Sequence, residues 1–464
     1  MGRSTAQLLV LSLMAVLLTL SGCATDLRDA NALHASGRFQ EAWGRMEQID
    51  LRNRHDAIWV LLERGKIAQD AGRFEESSRA LDRAWSIIQD VDDRAVVSAS
   101  ATTNDILSLL TDERARDYLA SRPDRLFLHT TQAVNHLLLG EYELAAVYSR
   151  RYIDLAASLD PEGVGVSMRP EQFDRAASTR DVRLTSGRSV SVSSIESMPE
   201  YVRLSQRLRA APVTGPADDA APYGLFVGAV AMLLADRRAE LQDFLVRLER
   251  LAPDLAEAVR NAETEPTVFV LFENGRAPKR EPVRSFPFGY AVGAIELPAL
   301  VFDSGPRASW LEADADGLVA RSVMLGSVEA AIASDFSSRL WEIWGRPILS
   351  AAIKITAGEI GAHQADDDWI SATIRAVWIS AVLLARADTR TWCSLPAEHH
   401  AIVVPAPSSG VLRLRLAGRS GTGRTMEVAV PPDRWTVVWV RSTGSGPVAV
   451  YRQGAGRVLT RGTP

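Results

Sequence analysis

Gly72-Arg-Phe74-Glu-Glu-Ser77 is the stretch on which the fold turns, because its grammar recurs along the first third of the chain. Gly37-Arg-Phe39-Gln-Glu-Ala42 lies 35 residues before it, and Gly140-Glu-Tyr142-Glu-Leu-Ala145 lies 68 residues after it, two periods away. In each copy the glycine suits the left-handed turn that ends one helix. The aromatic residue opens a second helix, and the small residue lets the two helices approach closely. An expected copy between them, around Thr103 to Tyr118, has lost the pattern.

A unit of helix, turn and helix repeated with a period near 34 resembles the tetratricopeptide repeat. In the second copy Leu61, Gly65, Gly72, Phe74, Ser77, Leu81 and Ala84 fall at the spacing that motif requires. A further candidate runs from Leu225 to Leu234, turns at Ala235-Asp-Arg, and continues through Leu241, Phe244, Leu245, Leu248 and Leu251 to Pro253. The resemblance implies recognition of peptides or helices on the inner face of the array, or plain scaffolding. Helical repeats are expected over 23–163 and again over 223–260. Between them, 164–222 reads as irregular loop and linker. It contains the Ser- and Arg-rich Arg183-Leu-Thr-Ser-Gly-Arg-Ser-Val, with room for a short hairpin, and the Pro-rich run from Pro212 to Pro222.

At Pro266 the pattern changes. Thr267-Val-Phe-Val-Leu-Phe272 is a β-branched and aromatic strand signal, and Asn274-Gly275 predicts a hairpin turn. Further strands are expected within Tyr290–Phe302 and at Ala401–Val404, Val411–Leu416, Met426–Val430, Thr436–Val440 and Val448–Tyr451. From about 328 to 386 the spacing is helical: Trp341, Trp344, Ile348, Ala352 and Ile355 define one helix, and Ile370 to Leu384 a second. The fold class predicted is α+β and multidomain. Helical repeats are followed, over 266–455, by a small antiparallel β-sandwich-like domain carrying an inserted helical hairpin.

The N-terminus fixes a location. Arg3 precedes an apolar run from Leu8 to Leu20, about 13 residues and too short for a span of ~20. Leu20-Ser21-Gly22-Cys23 closes it and resembles the lipobox of bacterial lipoprotein signals. That resemblance implies removal of residues 1–22 and acylation of Cys23. Ala24 follows rather than Asp, which by the sorting rule of such proteins directs the chain to the outer membrane, facing the periplasm. Several acyl chains give firm anchoring where one gives marginal binding.

The apolar fraction of 47% supports a sizeable core, and a net charge of -5 without a basic block argues against nucleic acid. Lysine occurs only at 66, 279 and 354, which reads as coding bias toward arginine. With Cys23 acylated, Cys393 stands alone and reads as a small buried hydrophobe.

Residues that suggest chemistry each have a plainer reading. His399 and His400 adjoin on a strand and point to opposite faces, so they do not chelate one ion together. His363 with Asp366 to Asp368 could hold a loose cation but suits a solvated helix cap. His129 and His136 share one repeat helix and pack or face solvent. Arg419-Ser-Gly-Thr-Gly-Arg424 lacks the lysine and spacing of a phosphate-binding loop and reads as a hairpin turn. No catalytic motif, cofactor or metal site is assigned.

The lipobox, Asn104-Asp105, His129-Thr-Thr-Gln-Ala-Val-Asn-His136 with Gly140-Glu-Tyr-Glu143, Phe272-Glu-Asn-Gly-Arg-Ala-Pro278 and Asp388-Thr-Arg-Thr-Trp-Cys-Ser-Leu-Pro396 together resemble an uncharacterised family of bacterial tetratricopeptide-type lipoproteins. Its members look like companions of envelope-assembly lipoproteins, including activators of penicillin-binding proteins. The function expected is a non-enzymatic, outer-membrane-anchored adaptor for envelope proteins, among them other lipoproteins or peptidoglycan-synthesis factors. The alternative is a glycan- or peptidoglycan-binding module, with Trp392, Trp435 and Trp439 as stacking candidates.

Overall fold

A computed structural model describes residues 23–51, 54–98, 118–158, 182–183, 189–190, 197–209, 221–285, 295–363, 371–373, 375, 382, 386–418 and 425–457. The N-terminal region is mostly helical, and a mixed β-sheet region with interspersed helices follows it. Four helix pairs can be traced: α1 (Cys23–Ala35) with α2 (Phe39–Glu47), α3 (Ala57–Asp70) with α4 (Phe74–Ser98), α5 (Arg122–Leu139) with α6 (Tyr142–Ser158), and α8 (Ala221–Leu234) with α9 (Arg238–Glu249). Helix α7 (Pro199–Arg209) falls inside the stretch expected to be irregular, and α10 (Pro253–Asn261) adds a helix after the fourth pair. The expected degenerate copy lies outside the described residues except for Tyr118.

The four turns share one hydrogen-bond pattern. Gly37, Gly72 and Gly140 have φ of 75°, 74° and 79°, and Asp236 takes the same place at 54°. The residue after each donates its N–H to a carbonyl five positions back: Arg38 to Leu33, Arg73 to Ala68, Glu141 to His136 and Arg237 to Met232. Asp236 pays no glycine's entropy cost yet sits where L-residues are strained, a position Asp and Asn tolerate better than most. The fourth turn thus hides from a search for glycine.

Two further strands, β1 (Val182–Arg183) and β2 (Ser189–Val190), form the short hairpin for which the sequence left room. The main sheet comprises β3 (Thr267–Asn274), β8 (Val323–Ser327), β9 (Glu398–Pro405), β12 (Thr436–Ser442), β13 (Ala449–Arg452) and β14 (Ala455–Arg457). Their order is β14-β13-β12-β3-β9-β8. A second sheet, in the order β11-β10-β6-β7, contains β6 (Ala308–Ala315), β7 (Leu318–Arg321), β10 (Val411–Gly418) and β11 (Thr425–Ala429). Strands β4 (Lys279–Ser285) and β5 (Ile295–Val301) pair apart from both.

Two expectations are corrected. The main sheet is mixed rather than antiparallel, because β12 runs parallel to β3, with Thr436 opposite Val268. Both strands are buried along their whole length, the condition under which parallel pairing is found. The Asn274-Gly275 turn does not make a hairpin either. Gly275 has φ of 69°, but β3 pairs with β12 and β9 instead of its neighbour β4. The other predicted strands are present, and β10 and β11 pair around residues 419–424, which lie outside the described residues.

Between β8 and β9 the chain inserts α11 (Val328–Ser338), a π-helical turn Trp341–Gly345 and α12 (Arg346–His363). Of the expected second inserted helix, residues 371–373, 375 and 382 are helical and the rest lie outside the described residues.

The main sheet is buried on both faces. Val268, Val270, Phe272, Val438 and Val440 meet Leu311, Leu412, Leu414, Met426 and Val428 of the second sheet. From the opposite face, Phe269, Leu271, Val437, Trp439 and Tyr451 join one core with the helices, including Ile67, Val134, Leu137 and Phe226. The helix-pair turns also meet the β12–β14 edge. A Cβ added at Gly72 would lie 2.3 Å from the Tyr451 ring, and Gly454 N–H donates to the Leu138 carbonyl.

Candidate functional site

The seam between helices and sheet is charged. Lys66 of α3 is fully buried and reaches Asp70 Oδ1 at 2.7 Å and Glu273 Oε2 of β3 at 2.5 Å. Arg441 of β12 donates from Nε to Asp70 Oδ2 at 2.9 Å and from Nη1 to the Gly275 and Ser442 carbonyls. His34 of α1 joins Asp70 at 2.7 Å, and the Lys66 ammonium lies 4.9 Å from the Trp439 ring. Two cations and two carboxylates therefore balance, which is the condition for burying charge without heavy loss. Burial holds the Asp70 carboxyl up, but Lys66, Arg441 and His34 outweigh it and hold its pKa far below the usual range. Burial chiefly lowers the His34 pKa, so its imidazole is neutral at pH 7.

Three of the motifs quoted for the family resemblance, at 129–143, 272–278 and 388–396, meet along this seam. Glu63 of α3 accepts from the Cys393 and Ser394 N–H groups, and burial pushes its pKa up. Asn31 of α1 donates to Cys393 Sγ, and Trp59 to the Thr391 carbonyl. Ala277 N–H and Leu395 O close the gap between the two C-terminal motifs. Gln69, Asn135, Gln132 and Ser77 extend the network between α3, α4 and α5. Asn104 and Asp105 lie outside the described residues.

No sequence motif joins Lys66, Asp70, Glu273 and Arg441. A signal was present: Glu273 and Arg441 each end an unbroken apolar strand run, and Lys66 is one of three lysines in an arginine-biased chain.

The structure separates the residues singled out earlier. Cys23 is the first residue of α1, whereas Leu20, Ser21 and Gly22 lie outside the described residues. Cys393 is half-buried, and burial together with Glu63 drives its thiol pKa well up, which opposes thiolate formation. His399 stacks on Tyr223 with centroids 4.0 Å apart, while His400 meets Glu398 and Phe272 on the opposite face, as the strand period requires. His363 ends α12, and Asp366 to Asp368 are outside the described residues.

His136 stacks on Tyr148 and pairs with Glu141. His129 is 1% exposed, packs on Trp85, and has no hydrogen-bond partner at either ring nitrogen; burial first, then Arg151, lowers its pKa to about 3. Trp392 and Trp439 are fully buried, and Trp435 spends its indole N–H on the Ala262 and Glu265 carbonyls. Buried rings cannot stack on a glycan, so two of the three stacking candidates belong to the core.

A cleft of about 310 Å³ opens where the helical region meets the insertion, between Tyr118–Ser121, β4, β5 and α12. Its polar lining includes Arg280, Arg339, Arg346, Lys354, Arg386 and Arg390, against Glu296, Glu342 and Asp388. Among the described residues no group of three or more His, Cys, Asp or Glu could hold a metal ion, and no helix is long and apolar enough to cross a membrane. No protein-family model, curated protein or solved structure matches the chain.

Proposed function

We propose that the chain is a non-enzymatic lipoprotein, anchored through Cys23 in the outer membrane and facing the periplasm, that acts as an adaptor for envelope proteins. In this reading the four helix pairs are tetratricopeptide-type repeats, and the two facing sheets are a sandwich-like unit cradled by them. The shared turn geometry at Gly37, Gly72, Gly140 and Asp236 supports the repeat assignment. The observation that supports the adaptor reading is the place of Cys23 in the fold. Cys23 opens α1, and Leu27 and Ala30 of that helix are already buried in the core. An acyl group there joins the folded body without a long spacer and holds that body close to the membrane. Tethering then raises the partner's local concentration.

The helix face that such repeats use for clients meets the chain's own sheet through Lys66, Asp70, Glu273 and Arg441. The partner therefore meets other surfaces. Crosslinking in cells followed by affinity purification of a C-terminally tagged chain tests this, with Cys23→Ser as the untethered control. A defined envelope protein recovered with the acylated form alone is expected. Peptidoglycan fragments without a stoichiometric protein would overturn the adaptor in favour of a glycan-binding module.

A further inference from the structure

The cleft beside α12 carries features that the tether and the seam leave unused. At about 310 Å³ it stands at the small end of ligand pockets, which span roughly 300–1,000 Å³. Five arginines and Lys354 line it together with three carboxylates, and Asp335 and Asp56 stand behind it against Arg339 and Arg390. Each of those carboxylates already faces an arginine: Glu296 faces Arg386 at 3.4 Å, Glu342 faces Arg339 at 3.2 Å, and Asp388 faces Arg390 at 2.8 Å.

Arg280 differs from these. Its guanidinium lies over the Phe336 ring at 5.3 Å, and its buried Nε has no hydrogen-bond acceptor. A buried N–H of a charged group left without an acceptor is costly, and an incoming oxyanion would satisfy it. The remaining wall is mostly apolar, from Ile295 and Pro298 of β5, Ile343 of the π-turn, and Pro347 and Ala351 of α12, with Ser121 and Ser350 among it.

We infer that this cleft binds a small organic oxyanion, a carboxylate or phosphate monoester joined to a short apolar group, with Arg280 as the fork that receives the oxygens. The anionic end sits among the guanidinium groups and the apolar end against β5 and α12. The inference is independent of the adaptor reading, since it depends neither on the anchor nor on a protein partner.

Calorimetric titration of the full chain carrying Cys23→Ser, which keeps acyl chains out of the assay, tests it with four probes: hexanoate, hexyl phosphate, hexanol and inorganic phosphate. Hexanoate or hexyl phosphate should bind, tighter than inorganic phosphate, and weaken as salt rises. Arg280→Gln should weaken that binding at least about tenfold, from loss of a charge-assisted hydrogen bond. Arg280→Lys, which keeps charge but loses the fork, should restore it in part. Hexanol binding as tightly as the anions would overturn the inference, as would anion binding unchanged in a folded Arg280→Gln chain. No heat from either organic anion at about 10 mM, far above the roughly 1 mM affinity at which binding free energy is about 4 kcal/mol, would do the same. If Arg280→Gln does not fold, the salt dependence and the contrast between hexanol and the anions decide the matter on the unaltered site.

Discussion

The two faces of the main sheet are buried equally and by different chemistry. Toward the second sheet, β3 and β12 present Val268, Val270, Phe272, Val438 and Val440, and the opposing residues are apolar as well. Toward the helices the same strands present Phe269, Leu271, Glu273, Val437, Trp439 and Arg441, and the partners include Lys66, Asp70 and His34. An apolar face tolerates sliding and repacking, because one aliphatic side chain replaces another at little cost. The charged face does not, since a displaced sheet would leave four ionised groups unpaired in the interior. The difference assigns affinity to one face and register to the other.

The largest expected effect comes from unbalancing the charged face. Asp70→Ala strips Lys66 and Arg441 of their shared carboxylate and should cost about 3–5 kcal/mol in urea unfolding, the range for breaking a buried pair. A loss below about 1 kcal/mol would show that water reaches the seam. On the apolar face, Leu414→Ala should cost roughly 2–5 kcal/mol through lost burial and a cavity. Leu414→Met should cost less than about 1.5 kcal/mol, because volume is kept. Equal losses for the two Leu414 variants would mean that this face is as exacting as the other.

Acid should act through the helical side. His129 has a folded pKa near 3, below its unfolded value near 6.5, so its contribution is complete above pH 6.5 and is lost as pH falls. Between pH 6.5 and 4.5 that loss is on the order of 2–3 kcal/mol. His34 and Asp70 act with the same sign, His34 over the same descent and Asp70 below about pH 4. His129→Leu should flatten the pH dependence of the urea midpoint and leave stability at pH 7 unchanged or higher, since neither ring nitrogen has a partner. A steep pH dependence surviving in that variant would assign the titration elsewhere.

The smallest contrast lies in the turns. Gly140→Ala meets nothing within 4 Å and should cost only the left-handed backbone penalty of about 1–2 kcal/mol. Gly72→Ala should cost more, because its Cβ would enter the Tyr451 ring of β13. Equal costs would mean that β13 does not press on that turn.

Local signals in the sequence reached the elements but not their assembly. Gly37, Gly72 and Gly140 mark their turns because a left-handed residue after a helix selects glycine, and the period then predicts the helix pairs. Asp236 does the same work without the glycine and so carries no matching mark. Strands β6, β7, β8 and β14 carry no such signal: β7 is a four-residue, largely exposed edge whose Leu318 and Val319 face solvent, so burial imposes no alternation on it. The parallel pairing of β3 with β12 joins segments from opposite ends of the C-terminal half, and no local pattern encodes that. Lys66 read as composition alone because its two carboxylate partners lie 4 and 207 residues away. The cleft was invisible for a similar reason, since its arginines come from three separate stretches, at 280, 339–346 and 386–390.

The helices hold the sheet through a buried ion network of Lys66, Asp70, Glu273 and Arg441. A double-mutant cycle on Lys66→Met and Glu273→Leu, read by urea unfolding, tests it most directly. Each single change should be strongly destabilising. The double variant, which leaves Asp70 and Arg441 balanced, should recover most of the loss, with a coupling of at least about 1.5 kcal/mol. Additivity within about 0.5 kcal/mol would contradict the account, because it would mean that the two side chains do not meet.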